Sequence, residues 1–277
     1  VGTVLSGNAA EILLIVGDWA AADDTLPAAL RLGGALWDYH LHRLRAQLAV
    51  GRGDFDLARH HLAAGPIAAD HPNSAHYYFC VVAELALWER DPAAAADAVE
   101  RGLAAAADRE SAFLRVRLAA LGVRAEADRA ELADVLGETA QRASARRRAD
   151  RLRDLAEQAA HEAAAMSPDA AGWLAVAEAE LGRATGRSDP DQWLHAVTTW
   201  QRLGQPYPAG YCGWRAAAAA ASSGAATSAV LEAARPAYAI AVRLGARPLG
   251  RELELLAQRC RLDLEPARAA AEPVAAP

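Results

Sequence analysis

The sequence predicts an all-α protein built as a solenoid of antiparallel helix hairpins. Three observations support this fold class. Alanine, leucine and arginine dominate the 277 residues, and these residue types lose little conformational freedom in a helix. Apolar residues recur at the three- and four-residue spacing of a helix. Short loops of similar sequence recur at nearly constant intervals, which is the signature of a repeat array.

The loops that define the repeat are Gly17-Asp18-Trp19, Gly53-Asp54-Phe55 and Arg90-Asp91-Pro92. An alanine follows each loop at the same place, and Ala22, Ala58 and Ala95 lie 36 and 37 residues apart. Tetratricopeptide repeats have a period of about 34 residues, so a tetratricopeptide-like array is predicted. We expect the glycine to end one helix in the left-handed conformation, the aspartate to cap the next helix, and the alanine to lie where paired helices cross.

One-sided apolar stripes indicate which face each N-terminal helix buries. The four stripes are Leu5, Ala9, Ile12 and Val16; Trp37, Leu41, Leu44 and Leu48; Phe55, Ala58 and Leu62; and Tyr78, Val81, Leu85 and Trp88. Pro27 falls inside the expected second helix, and it should kink or end that helix near Leu26.

The chain divides into four regions. Residues 1–105 are predicted as N-terminal helix-hairpin repeats, and residues 106–165 as longer irregular helices with a break near Gly137. Residues 166–262 return to hairpin repeats, and residues 263–277 are typical of a disordered linker tail. The signals for helix starts in the C-terminal repeats are Ser167-Pro168-Asp169, Ser188-Asp189-Pro190, Gln205-Pro206, the break at Gly224, and Arg247-Pro248.

Composition excludes several classes of function. All 29 basic residues are arginines, so the chain has neither the lysine of a Walker A phosphate loop nor a Schiff-base lysine. The net charge of −6 argues against nucleic-acid binding by this chain. Cys80, Cys212 and Cys260 are widely spaced, which predicts no zinc or redox motif and favours the cytoplasm. No apolar run approaches the roughly 18 residues of a membrane span.

Residues 193–264 carry a resemblance to a known family. The segments concerned are Trp200–Pro208 (WQRLGQPYP), Tyr211–Arg215 (YCGWR), Ala239–Pro248 (AIAVRLGARP) and Arg251–Ala257 (RELELLA). They resemble the helical-repeat region of large ATP-binding, MalT-like LuxR-family regulators of actinobacteria. In that family the region lies between a nucleotide-binding module and a helix-turn-helix domain, so we expect this chain to be part of a larger protein. Neither a phosphate loop nor a helix-turn-helix lies in these residues, so nucleotide hydrolysis and DNA binding would belong to other domains.

Aromatic and polar residues on the first helices of hairpins are the candidate binding residues. Those helices line the concave surface of a repeat array, where ligands bind. The residues chosen are Tyr39, His42, Arg43, His76, Tyr77, Glu84, Tyr211 and Arg215. Trp37, Tyr78 and Trp214 are interpreted as core residues, and Tyr207, flanked by two prolines, as packing at the start of a helix.

Two other clusters favour structural roles over functional ones. His60, His61, His71 and His76 lack the fixed short spacings of a metal site, so no metal is predicted. The arginines between Arg142 and Arg153 alternate with acidic residues, which is typical of a solvated helix face with ion pairs four residues apart. No catalytic triad, carboxylate dyad or cofactor motif is present in the sequence.

These observations predict a non-enzymatic sensor and assembly region of a LuxR-family transcriptional regulator. A small-molecule inducer or a partner protein would bind the concave face, and a homo-oligomer of the chain is also expected. Nucleic acid would be bound only through a DNA-binding domain outside this chain. The alternative is a free-standing tetratricopeptide-type scaffold that docks other proteins.

Overall fold

The computed structural model describes residues 2–32, 38–64, 75–105, 112–165 and 167–264, which form thirteen α-helices and no strand. This confirms the predicted all-α class. The helices are α1 (Gly2–Val16), α2 (Trp19–Leu32), α3 (Asp38–Arg52), α4 (Phe55–Ala64), α5 (Ala75–Trp88), α6 (Pro92–Ala105), α7 (Ala112–Val135), α8 (Thr139–Ala163), α9 (Asp169–Ala184), α10 (Pro190–Arg202), α11 (Pro206–Ser222), α12 (Thr227–Leu244) and α13 (Arg247–Cys260). None of these helices is both long enough and apolar enough to cross a membrane.

The helices stack as hairpins in two layers. Each helix packs against the next one in the chain, and α1, α3, α5, α7 and α9 also contact one another in succession. These odd-numbered helices form the inner layer, and the even-numbered helices lie outside them. The main hydrophobic core runs through the array from Ala10 to Leu264, and a second cluster between α5, α6 and α7 lies beside it, so the hairpins stabilise one another through shared apolar surface.

The two ends of the array meet, because α1 contacts α11 and α3 contacts α13. The loop glycines make this approach possible. Gly17 and Gly53 have φ angles of +82° and +76°, as expected for helix ends in the left-handed conformation. A Cβ atom at Gly17 would lie 2.4 Å from the ring of Pro206, and one at Gly53 would lie 3.0 Å from the ring of Pro248. The repeat loops therefore also seat the first turns of α11 and α13, and the array closes into a ring.

The repeat junctions are as the sequence predicts, except that the Asp54 side chain binds Arg247 of α13 instead of capping α4. Ala22, Ala58 and Ala95 are all 0% exposed. The carboxylates of Asp18 and Asp91 accept hydrogen bonds from the backbone N–H groups of Ala21 and Ala94, at 3.2 and 3.0 Å, and so cap α2 and α6.

Replacing Ala58 by leucine should lower the free energy of unfolding by about 1–3 kcal/mol, because the added methylene groups have no space at the helix crossing. Thermal unfolding measures the change. Ala20→Leu, at an exposed position of α2, is the control and should unfold like the wild type. A wild-type melting temperature for Ala58→Leu would show that the repeat alignment is wrong.

Two expectations about the first hairpin are wrong in whole or in part. The stripe of Leu5, Ile12 and Val16 is at least half exposed, and α1 buries Gly7, Ala10 and Leu14 instead. The face with Gly7 and Ala10 is buried because these small residues let α1 approach α3 closely. A Cβ at Gly7 would lie 3.1 Å from the ring of His40. The expectation for Pro27 is wrong only in part: the proline does not end its helix.

Around Pro27, α2 continues to Leu32, because packing holds the helix on both sides of the proline. Leu26 before it is 0% exposed and Ala29 after it is 1% exposed. The other N-terminal stripes are buried as predicted, apart from Trp37, which lies outside the described residues, and the half-buried Phe55 and Tyr78.

The middle region forms the longest hairpin of the array. Helices α7 and α8 contain 24 and 25 residues, and the chain turns between them at Gly137, whose φ is +72°. The five C-terminal helices begin at or beside the predicted signals. At α10 the Asp189 side chain accepts a hydrogen bond from the N–H of Asp191 at 2.9 Å. The predicted linker tail lies almost wholly outside the described residues.

Candidate functional site

The closed array surrounds a cavity of about 290 Å³. Its walls come from the inner helices α1, α3, α5, α7, α9 and α11, with contributions from the segments that begin α2, α9 and α11. Seven aromatic side chains line it: Trp19, Tyr77, Trp88, Phe113, Trp173, Tyr207 and Tyr211. A largely apolar cavity with a few polar groups is the usual form of a small-molecule site.

Tyr207 joins the two ends of the array at the wall of this cavity. Its hydroxyl accepts a hydrogen bond from the indole N–H of Trp88 at 3.1 Å, across 119 residues of sequence. Its ring lies against Trp19, with centroids 5.1 Å apart. Burial raises the pKa of the Tyr207 hydroxyl. The residue lies in the first turn of α11 as predicted, but it also connects α11 to the N-terminal hairpins.

Arg124 is a buried cation packed between two aromatic rings of the cavity wall. It is 7% exposed, and its guanidinium carbon lies 4.9 Å from the ring centroid of Trp88 and 4.4 Å from that of Tyr211. The guanidinium is stabilised by the faces of both rings. Its Nε has no hydrogen-bond partner in the structure.

The other charged groups of the cavity are engaged by neighbours. Arg117 binds Glu84 at 3.2 Å and also lies over the ring of Trp173, 5.2 Å from its centroid. The carboxylate of Glu11 accepts a hydrogen bond at 2.8 Å from Arg43, which does not itself line the cavity. The carboxylate of Asp169 accepts one from Gln205 at 2.8 Å.

A buried ionic network supports the cavity wall behind Tyr211. The Tyr211 hydroxyl donates to the fully buried carboxylate of Glu180 and accepts from Arg215 at 3.0 Å. Arg183 binds Glu180 and Asp128, each at 2.7 Å. Burial alone raises the pKa of Asp128, but the nearby arginines outweigh it and lower the pKa. The network fixes the position and orientation of the Tyr211 ring.

The predicted binding residues divide into three groups. Tyr77, Glu84 and Tyr211 line the cavity. Arg43, His76 and Arg215 are buried or half-buried behind it; the guanidinium of Arg43 lies 4.9 Å from the ring centroid of Tyr77, and the His76 ring lies at the same distance from that ring. Tyr39 and His42 are half-buried on α3 and do not line the cavity.

Tyr211, chosen from the sequence as a binding residue because it lies at the edge of the apolar stripes, is instead part of the core. Its side chain is only 7% exposed, and both of its polar contacts lie inside the protein. The structure nevertheless places one face of its ring at the cavity. Trp214 is buried, as interpreted from the sequence.

His42 forms a pair with His61 of α4, with their Nδ1 atoms 2.8 Å apart. One neutral ring must donate this hydrogen bond and the other must accept it. Burial, His42, His60 and Arg45 together lower the pKa of His61 to about 4. Burial also lowers the pKa of His42, where Asp38 opposes the shift and His60 adds to it. No three His, Cys, Asp or Glu side chains of the described residues converge on a metal site.

The histidine pair should make stability depend on pH. The folded pKa of His61 is depressed, so between about pH 6.5 and 4 the unfolded chain binds a proton that the folded chain excludes, and stability falls as the pH is lowered. When the pH is lowered from 7.5 to 5, the melting temperature of His61→Gln should fall less than that of the wild type. His195→Gln, at an exposed site on α10, is the control. Parallel curves for wild type and His61→Gln would contradict this assignment.

The arginine-rich face of α8 carries ion pairs, as interpreted, although one partner differs. Arg153 binds Glu157, four residues later, at 2.8 Å. Arg142 binds Asp134 of α7 instead of Glu138, the acidic residue four positions before it, because Glu138 precedes the first turn of the helix.

Sequence analysis missed the contribution of α7 to the cavity, including Phe113, Arg117 and Arg124. The apolar residues of α7 surround the helix, since it is packed by α5, α6, α8 and α9. No one-sided stripe was therefore available to mark an inner face. Comparisons of the chain with protein-family models, curated proteins and solved structures found no match.

Proposed function

We propose that this chain is a non-enzymatic sensor region that binds a small-molecule inducer in its central cavity, within a cytoplasmic transcriptional regulator of the LuxR family. The observation that carries the proposal is the aromatic cavity enclosed where the two ends of the array meet. The assignment to a regulator depends on the resemblance of residues 193–264.

The closed ring favours a small ligand over an extended peptide. A peptide-docking scaffold needs an open concave groove, whereas here contacts of α1 with α11 and α3 with α13 bring the ends together. Tyr207 adds a wall between them. The aromatic side chains provide apolar surface at low cost in conformational entropy, as ligand sites require.

Binding is also favoured over acid–base catalysis by the state of the carboxylates. Each acidic side chain that lines the cavity is held by a hydrogen bond: Glu11 by Arg43, Glu84 by Arg117 and Asp169 by Gln205. A general acid or base needs a proton that it can exchange with a substrate. Glu11 and Glu84, which are bound to arginines, are poor candidates for that role, and Asp169, bound to a neutral amide, has no second acid or base beside it among these three carboxylates.

Ligand binding would produce a signal because the ligand lies between the N-terminal and C-terminal hairpins that meet to close the array. The cavity walls belong to both the N-terminal and the C-terminal hairpins, so a bound molecule contacts both and favours the closed ring. A ligand shifts a conformational equilibrium only by its difference in affinity for the two states. Closure would then change the surfaces presented to neighbouring domains or to a second copy.

A cavity-filling variant tests the proposal. Ala120 lines the cavity, and Ala120→Phe places a ring inside it; Ala140→Phe, at an exposed site on α8, is the control. Naphthalene-2-carboxamide, naphthalene-2-carboxylate and 2-naphthylmethylammonium are the probes. At least one should raise the melting temperature of wild type and Ala140→Phe with increasing concentration, and fail to do so in Ala120→Phe.

Two results would overturn the cavity assignment. One is that no probe of any charge stabilises the wild type or quenches the tryptophan fluorescence that Trp19, Trp88 and Trp173 contribute from the cavity. The other is that the stabilisation persists in a folded Ala120→Phe. The placement within a regulator is tested separately by the coding sequence beyond codon 277, where a helix-turn-helix supports it and a stop codon supports the free-standing scaffold.

A further inference from the structure

Arg124 differs from the other buried arginines near the cavity. Arg43 is bound to Glu11 at 2.8 Å, Arg117 to Glu84 at 3.2 Å and Arg183 to Glu180 at 2.7 Å. Arg124 is buried to a similar degree, yet no carboxylate of the described residues lies within ion-pair distance of its guanidinium. Asp128, one turn away on α7, is already engaged by Arg183 at 2.7 Å.

Burying a cation is costly unless an anion and hydrogen-bond acceptors compensate for the lost water. The rings of Trp88 and Tyr211 supply part of this compensation. They supply no hydrogen-bond acceptor in the plane of the guanidinium, and its Nε is without a partner. Arg124 lines the cavity, so an anionic acceptor for its guanidinium can come from a molecule bound there.

We propose that the cavity binds an aromatic carboxylic acid, with its carboxylate on the guanidinium of Arg124 and its ring among the aromatic walls. The inference rests on the proposed function, since it names the ligand class for the same site. A carboxylate matches the planar guanidinium because two parallel N–H groups bind its two oxygens. A neutral or cationic ligand leaves Arg124 without a counter-ion.

The volume of the cavity limits the size of this acid. A cavity of about 150 Å³ holds benzene, and the present one measures about 290 Å³. One or two fused rings with a short acidic substituent therefore fit. The ring would lie among Trp19, Tyr77, Phe113 and Trp173, which line the same space.

A matched pair of probes tests the anion without relying on a mutation. Naphthalene-2-carboxylate and naphthalene-2-carboxamide have nearly the same shape and differ in charge. Titration calorimetry on the wild-type chain should show the acid binding about tenfold tighter or more, as expected for a charge-assisted hydrogen bond. Arg124→Gln should reduce this preference to about one while keeping affinity for the amide, and Arg147→Gln, which removes an exposed charge from α8, should retain it.

The outcomes separate this inference from the proposed function. Equal binding of acid and amide by the wild type, or an unchanged preference in Arg124→Gln, overturns the carboxylate assignment and leaves the cavity as a ligand site. Binding of neither compound overturns both. The amide also reports whether the cavity is intact. If Arg124→Gln binds neither compound while the wild type binds both, Arg124→Lys is the deciding variant. It keeps the positive charge and should still bind the acid more tightly than the amide; equal binding of the two would overturn the carboxylate assignment.

Discussion

Replacing Arg183 by methionine is expected to lower the free energy of unfolding by about 3–5 kcal/mol. Arg183 is 6% exposed and binds the fully buried Glu180 as well as Asp128. Its removal leaves the fully buried carboxylate of Glu180 without its cation and takes the nearest cation from Asp128, which keeps only Arg215 at 3.7 Å. The desolvation cost at Glu180 exceeds the gain from a methionine side chain of similar length. Chemical denaturation at neutral pH measures the loss.

Arg187→Met is the control, because Arg187 lies four residues later on the exposed side of the chain and should change stability by at most about 0.5 kcal/mol. The pH dependence provides a second readout. The pKa of Asp128 is lowered below its usual 3.8, so its contribution is present above that pH and is lost as the pH falls through the folded value. The difference between wild type and Arg183→Met should shrink in acid, and equal stability at neutral pH would contradict the role assigned to Arg183.

Trp200→Ala is expected to cost about 3–5 kcal/mol, since it leaves a large cavity between α9 and α10. Trp200 is 0% exposed. A Cβ at Gly172 would lie 2.7 Å from its ring, and the ring of Trp173 meets it edge-on with centroids 5.2 Å apart. The indole thus fills a space that neighbouring residues leave open for it.

Leu194→Ala is the matched control on the same helix. Leu194 is 43% exposed, so its truncation should change the free energy of unfolding by about 0.5 kcal/mol. Trp173 lines the central cavity and touches Trp200, so, if the proposed function is right, Trp200→Ala should also weaken probe binding. If Trp200→Ala were as stable as Leu194→Ala, the packing of α9 on α10 would be wrong.

The candidate binding residues show how much of an inner surface a helical sequence pattern can predict. Tyr77 and Glu84 were predicted because first helices of hairpins line the inner surface of such arrays, and both line the cavity. Tyr39 and His42 lie on the same kind of helix but outside the lining. A stripe identifies the most buried face of a helix, and it does not say which of the flanking faces turns inward.

Local sequence by itself determined the helical class, the repeat junctions and the long middle hairpin. These depend on interactions within about 40 residues: the loop glycines, the capping aspartates and the small alanines at helix crossings. The register of α1, the course of α2 through Pro27 and the surroundings of Arg124 were decided only by the tertiary structure. Ring closure brings Trp88 to Tyr207 and places Arg124 between Trp88 and Tyr211. Contacts between residues so distant along the chain depend on the summed rotation of all the hairpins, to which each loop and each crossing contributes a small angle that no short sequence pattern encodes.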